Sequence, residues 1–152
     1  MTTLYHLSRS PDLKILIPAI PAKLLAKSNK KETKRISFSS SVNGYILGLQ
    51  FNERLDFPNG EVELFVYTPI KDQLLKWKSN QELVDNKLVF DAHITKECWC
   101  LDPVCVSNIG SIIVSKEISK TIEFSPLKVD DSKYLKSNGK LDTYLYKYKW
   151  SK

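Results

Sequence analysis

Glycine, histidine and cysteine are scarce in this sequence, and each shortage closes off a kind of chemistry. With 5 Gly in 152 residues, neither a Gly-rich phosphate loop nor a Gly-rich linker is available. No Walker sequence, dinucleotide fingerprint, G-x-S-x-G elbow or H-E-x-x-H is present. The 2 His are His6 and His93, and the 3 Cys (Cys98, Cys100, Cys105) are spaced C-x-C-x4-C. Zinc sites pair two well-separated ligand units, so no metal is expected. On a strand, Cys98 and Cys100 share a face and read as small buried hydrophobes. Apolar runs of about 18 residues are missing too, so no spanning helix and no membrane partner are expected. The opening Met1-Thr2-Thr3-Leu4-Tyr5-His6 lacks the basic and then apolar pattern of a secretion signal. Reduced thiols and a cytoplasmic location are the matching expectations.

What is present suits a packed fold. The sequence is 42% hydrophobic and 26% charged, ordinary values for one domain spanning 1–152. Strand-forming residues are well represented. Leu4 to Ser8 alternates as a first strand. Leu13 to Ile20 is apolar but bracketed by Pro11, Pro18 and Pro21, which excludes a central strand. Arg35 to Ser39 reads as a strand, Ser40-Ser41 offers an N-cap, and Val42 to Gln50 has the apolar spacing of a short helix. Gly44 and Gly48 weaken that helix but permit close packing. Glu61 to Tyr67 alternates most clearly. A helical piece is expected within Ile70 to Leu83. Further strands are expected at Lys87 to Phe90, Thr95 to Leu101, Val104 to Val106, Ile109 to Val114 and Thr121 to Phe124. Tyr144, Tyr146, Tyr148 and Trp150 alternate with Leu145, Lys147 and Lys149 as a final strand. The fold class that results is α+β, a split and mostly antiparallel β core with two or so short helices.

The net charge is +6, which favours anionic partners. One basic run covers Lys27 to Arg35, and an exposed, mobile loop is expected at Lys27 to Lys34. A second excess lies near the C-terminus.

The residues that could carry chemistry form a spaced set. His6 lies on the first strand, Ser37-Phe38-Ser39-Ser40-Ser41 joins a strand to a helix, Tyr45 follows, and Glu97 opens a late strand. In that order, Leu4-Tyr5-His6-Leu7-Ser8, Ile36-Ser37-Phe38-Ser39-Ser40 with Tyr45, and Thr95-Lys96-Glu97-Cys98-Trp99 resemble the motifs of the ADP-ribosyltransferase superfamily. The likeness is to its RNA 2′-phosphotransferase and DarT-like branches, over about residues 4–114. The chain also resembles small phage and prophage proteins of low-GC Gram-positive bacteria. Thr95 stands two before Glu97 where arginine-directed transferases have Glu or Gln, so arginine-directed transfer is not implied.

The resemblance implies NAD as substrate, with His6 and Glu97 catalytic and Ser8, Arg9, Ser39, Tyr45 and Arg35 binding the dinucleotide. A carboxylate such as Glu97 would stabilise the oxocarbenium-like ribose left when nicotinamide departs. His6 would hydrogen-bond a ribose hydroxyl, Tyr45 would stack on nicotinamide, and Arg9, Arg35, Lys30 and Lys34 would meet the pyrophosphate. Each residue has a plain alternative: a satisfied core histidine, a surface carboxylate, a core tyrosine, a helix-capping serine. The implied ligand is a nucleotide of ADP-ribose type, and the implied role is a phage effector acting on a host component in the host cytoplasm. The alternative is a non-catalytic module of the same fold that holds a host defence protein or sequesters a nucleotide signal. Nucleic acid, held by the basic loop and the Tyr/Lys strand, is a weaker third partner.

Overall fold

A computed structural model describes residues 2–20, 33–51, 60–89, 91–123 and 140–151. Most of the basic loop, Lys30 included, lies outside the described residues. The described elements run β1 (His6–Ser8), β2 (Ile15–Leu16), β3 (Ile36–Ser39), α1 (Val42–Phe51), β4 (Glu61–Pro69), β5 (Trp77–Lys78), α2 (Asn80–Asp85), α3 (Ala92–Thr95), β6 (Glu97–Cys100), β7 (Val104–Glu123) and β8 (Lys140–Trp150). The fold is α+β, and every described strand pair is antiparallel. No helix among the described residues is long and apolar enough to cross a membrane.

The strands form two sheets. The larger has the order β1-β4-β7-β2, with β8 also paired to β7, and the smaller has the order β3-β6-β5. Alternation in β4 places Val62, Leu64 and Val66 in one core with Leu7, Val42, Ile46, Ile112 and Val114. Tyr67 turns the other way, into a second core with Leu16, Val104 and Val106 of the large sheet and Ile36, Phe38, Cys98 and Cys100 of the small one. The strand β7 serves both cores because of a bulge. Val66 pairs with Gly110 but Tyr67 pairs with Asn108, which leaves Ile109 as the extra residue. One added residue reverses the alternation. Val104 and Val106 therefore face the second core, and Ile112 and Val114 the first. Gly110, at φ 141°, takes the positive-φ conformation there.

Several local expectations need correcting. Lys87 to Phe90 is not a strand where described: residues 86–89 form a turn, with Lys87 at φ 52°. Thr95 belongs to α3 and not to the strand that follows. The segments 104–106 and 109–114 are one strand, bulged and not broken at Ser107-Asn108. Leu13 to Ile20 is extended as expected, and two of its residues form β2 at the sheet edge. The helical piece sought within Ile70 to Leu83 is α2, which begins only at Asn80 with Ser79 as its N-cap.

Candidate functional site

The two sheets meet at β1. Tyr5 exchanges both backbone hydrogen bonds with Ser39 of β3, at 2.8 and 3.0 Å, while His6 to Ser8 pair with β4. Beside this junction, α1 packs its glycines against α3. A Cβ on Gly44 would stand 2.3 Å from the Thr95 carbonyl oxygen, and one on Gly48 would stand 3.6 Å from the Thr95 methyl. Only a residue without a side chain fits at Gly44. Ser41 caps α1 by accepting from the Gly44 N–H at 3.0 Å. Ser39, 1% exposed, donates to the Thr95 carbonyl at 2.6 Å and accepts from the Ser41 N–H at 3.0 Å. One buried hydroxyl thus ties β3, α1 and α3 together.

Glu97 follows directly. Lys96 closes α3 in the left-handed conformation, φ 57°, and this tight reversal sets Glu97 at the first position of β6. Asn80 of α2 fixes the backbone there, donating to the carbonyls of Ala92 and Glu97, each at 2.8 Å. The carboxylate is held as firmly. Its Oε1 accepts from Ser37 Oγ at 2.7 Å and from the indole Nε1 of Trp99 at 2.8 Å. Among the described residues Oε2 has no hydrogen-bond partner. One oxygen thus accepts two hydrogen bonds and the other none among the described residues.

His6 reaches the same serine from the other side. Its Nδ1 lies 3.0 Å from the Ser37 carbonyl and 3.0 Å from Tyr45 Oη. A carbonyl only accepts, so Nδ1 carries the proton and Nε2 is the acceptor nitrogen. The ring packs edge-on to Tyr45 and tilted against Phe38, with centroids 5.5 and 5.6 Å away. Burial pushes the imidazole below its ordinary pKa, against the opposing pull of the Ser37 hydrogen bond. It is neutral at pH 7. His6 and Glu97 thus meet at Ser37, one at its carbonyl and the other at its hydroxyl.

A cleft of about 50 Å³, open to solvent, is lined by Ser37, Ser39, Gly44, Tyr45, Thr95 and Glu97 among others. His6 stands behind Tyr45 and does not line it. Of the other expected binding residues, Ser39 and Tyr45 line the cleft, whereas Ser8 and Arg9 do not. Ser8 Oγ accepts from the Ser10 N–H at 3.1 Å, and Arg9 is exposed beyond the end of β1. Arg35 is half-buried, with its guanidinium carbon 4.1 Å from the centroid of Trp99. Burial, with Glu97 and Cys100 nearby, pushes the Cys98 thiol up to about 12, so it is no nucleophile at neutral pH.

The residues that sequence reasoning left out are Ser37, Trp99, Thr95 and Asn80. The first two carried a signal, since Ser37 shares the face of Ser39, and Trp99 that of Glu97, by simple alternation. Thr95 acts through its backbone carbonyl, and the Asn80 side-chain amide acts on the carbonyls of Ala92 and Glu97, contacts that leave no mark on residue pattern. No protein-family model matches the chain, and no curated protein or solved structure matches it.

Proposed function

We infer that the protein is an NAD-consuming enzyme of ADP-ribosyltransferase type. The observation that carries this is the clamp on Glu97: a carboxylate fixed through Oε1 by two neutral donors, with Oε2 unpartnered among the described residues, at a cleft that Tyr45 also lines. In the reaction the N-glycosidic bond breaks and nicotinamide leaves with the bonding pair. Positive charge grows on the ribose. The carboxylate stabilises the oxocarbenium-like state, and Oε2 accepts the ribose 2′-hydroxyl. The acceptor nucleophile then bonds to the ribose carbon and gives up a proton. Neutral His6 holds Tyr45 upright beside the cleft, where the phenol ring offers a face to nicotinamide. This role, through Tyr45, replaces a direct one for His6 at the ribose.

The test is NAD consumption by the purified protein. Glu97→Gln removes the charge with little change of shape and is expected to cut turnover at least about a hundredfold while the circular dichroism is unchanged. His6→Ala is expected to weaken both binding and rate. A non-catalytic module of this fold predicts instead that neither variant alters the biological effect. Turnover by Glu97→Gln at the wild-type rate would end the enzymatic account.

A further inference from the structure

Strand β8 lies at the rim of the large sheet. Among the described residues its only strand partner is β7, which it follows from Lys140 to Trp150. A long free edge invites pairing with another chain, and proteins usually blunt such edges with proline, a bulge or a short strand. β8 has none of these. It runs for 11 residues without Pro or Gly, and the extra residue of the pair falls on β7, between Ile118 and Lys120. The far half of the pair also lacks support. β4 reaches only to Ser115, so among the described residues β7 and β8 continue from Lys116 to Glu123 as a ribbon of two strands. Two strands alone are marginal in water. Nearer the sheet, exposed Tyr148 and Trp150 pair with Val114 and Ile112, so the apolar face under α1 continues to this edge. The direction of the free backbone groups follows from one contact. The Ser151 N–H donates to the Ser111 carbonyl at 2.7 Å. Backbone groups alternate sides along a strand, so those of Lys149 and Lys147 also turn to β7, and those of Trp150 and Tyr148 turn outward.

We propose that β8 pairs antiparallel with β8 of a second copy of this chain, about a two-fold axis at Leu145, joining the two large sheets into one. Leu145 is the middle residue of Lys140–Trp150, so this register alone pairs all 11 residues. It sets Lys147 opposite Thr143 of the partner subunit, Lys149 opposite Leu141 of the partner subunit and Tyr148 opposite Asp142 of the partner subunit. No charge meets its like, which would destabilise the pair. An axis at Lys147 or Tyr148 would place lysine opposite lysine, and one at Tyr146 would leave Lys140 and Leu141 unpaired. The register also matches the outward backbone groups, since even-numbered residues meet even-numbered residues across the edge. The ribbon beyond Ser115 then becomes four-stranded, which is enough for independent stability. This pairing does not rest on the transferase reading.

Sedimentation equilibrium of the full chain is the test, and it is expected to give twice the 17.5 kDa of one chain. Tyr148→Pro deletes only an outward N–H, which an edge strand tolerates. It is expected to weaken dimerisation at least about a hundredfold and to leave a folded monomer by circular dichroism. Tyr148→Thr keeps that N–H and is expected to stay dimeric. At the axis the two copies of Leu145 face each other as a pair without hydrogen bonds, about 4.5 Å apart at Cα, within the span of a disulfide. Leu145→Cys, made with exposed Cys105 changed to Ser, is therefore expected to give a covalent dimer on mild oxidation. Thr143→Cys in the same background, set opposite Lys147 of the partner subunit, is expected to give none. A one-chain mass at every concentration overturns the proposal. So does a dimer that survives Tyr148→Pro, a dimer lost equally in Tyr148→Thr, or a Leu145→Cys chain that does not cross-link. If Tyr148→Pro fails to fold, the Leu145→Cys cross-link decides alone. None of these results bears on the transferase reading, which NAD consumption tests separately.

Discussion

The large and small sheets solve burial in different ways. One face of the large sheet presents Val62, Leu64, Val66, Ile112 and Val114 to α1, a set with no polar side chain. The small sheet buries apolar side chains on both faces, Ile36, Phe38, Cys98 and Cys100 on one and Trp99, against Leu83 and Ala92, on the other. That second face also carries Arg35, Ser37, Ser39, Glu97 and Lys78, and there individual hydrogen bonds decide the geometry. The difference teaches where function is housed: apolar packing is non-directional and forgiving, whereas a polar face with one fixed carboxylate is specified atom by atom.

The contrast breaks first at the centre of the large sheet. Leu64→Ala, at a site 2% exposed, is expected to lose about 3 kcal/mol in urea unfolding, with NAD consumption per folded molecule unchanged. The two glycines of α1 sharpen the comparison. Gly44→Ala forces a methyl group to within 2.3 Å of the Thr95 carbonyl. It is expected to cost about 2 kcal/mol even after the gain in helix propensity. Gly48→Ala meets only an ordinary contact at 3.6 Å and is expected to be neutral or stabilising. Equal effects at both positions would refute the close approach. Ser39→Ala removes the buried link between β3 and α3 and leaves the Thr95 carbonyl unpaired. It is expected to cost about 1–2 kcal/mol in the same assay.

Smaller effects come from titration. The His6 imidazole is pushed below its ordinary pKa of 6.5 by burial. The folded state thus resists protonation that the unfolded chain accepts. Its contribution to stability is complete above about pH 6.5 and is lost as pH falls toward the folded pKa. Melting temperatures measured between pH 7 and pH 5 are expected to drop more steeply for wild type than for His6→Asn. Smallest of all is a difference in labelling. At pH 8 an alkylating reagent is expected to modify exposed Cys105 and spare buried Cys98 and Cys100, counted by intact mass.

Legibility in the sequence follows the same divide. Alternation located β3, β4, much of β6 and both halves of β7, and helical apolar spacing located α1, because period and burial coincide there. It missed the bulge at Ile109, since a single extra residue declares itself only through the partner strand. It placed a strand at Lys87 to Phe90, where Lys87 at φ 52° makes a turn; a left-handed lysine leaves no signal in composition. Within the site, His6, Ser39, Tyr45 and Glu97 were legible as side chains of suitable chemistry in order. Ser8 and Arg9 were set among the binding residues, yet neither lines the cleft, because β1 carries them past the point where it meets β3. The link from Ser37 to Glu97 spans 60 residues and the ties from Asn80 span 12 and 17, pairings that no local pattern encodes.

The central claim is that the cleft at Glu97 receives the ribose of NAD. Crystals soaked in NAD test it most directly. The account predicts density with the nicotinamide ring against Tyr45 and the ribose 2′-hydroxyl within hydrogen-bonding distance of Glu97 Oε2. A cleft that stays empty at saturating NAD, or a dinucleotide bound elsewhere on the molecule, would contradict it.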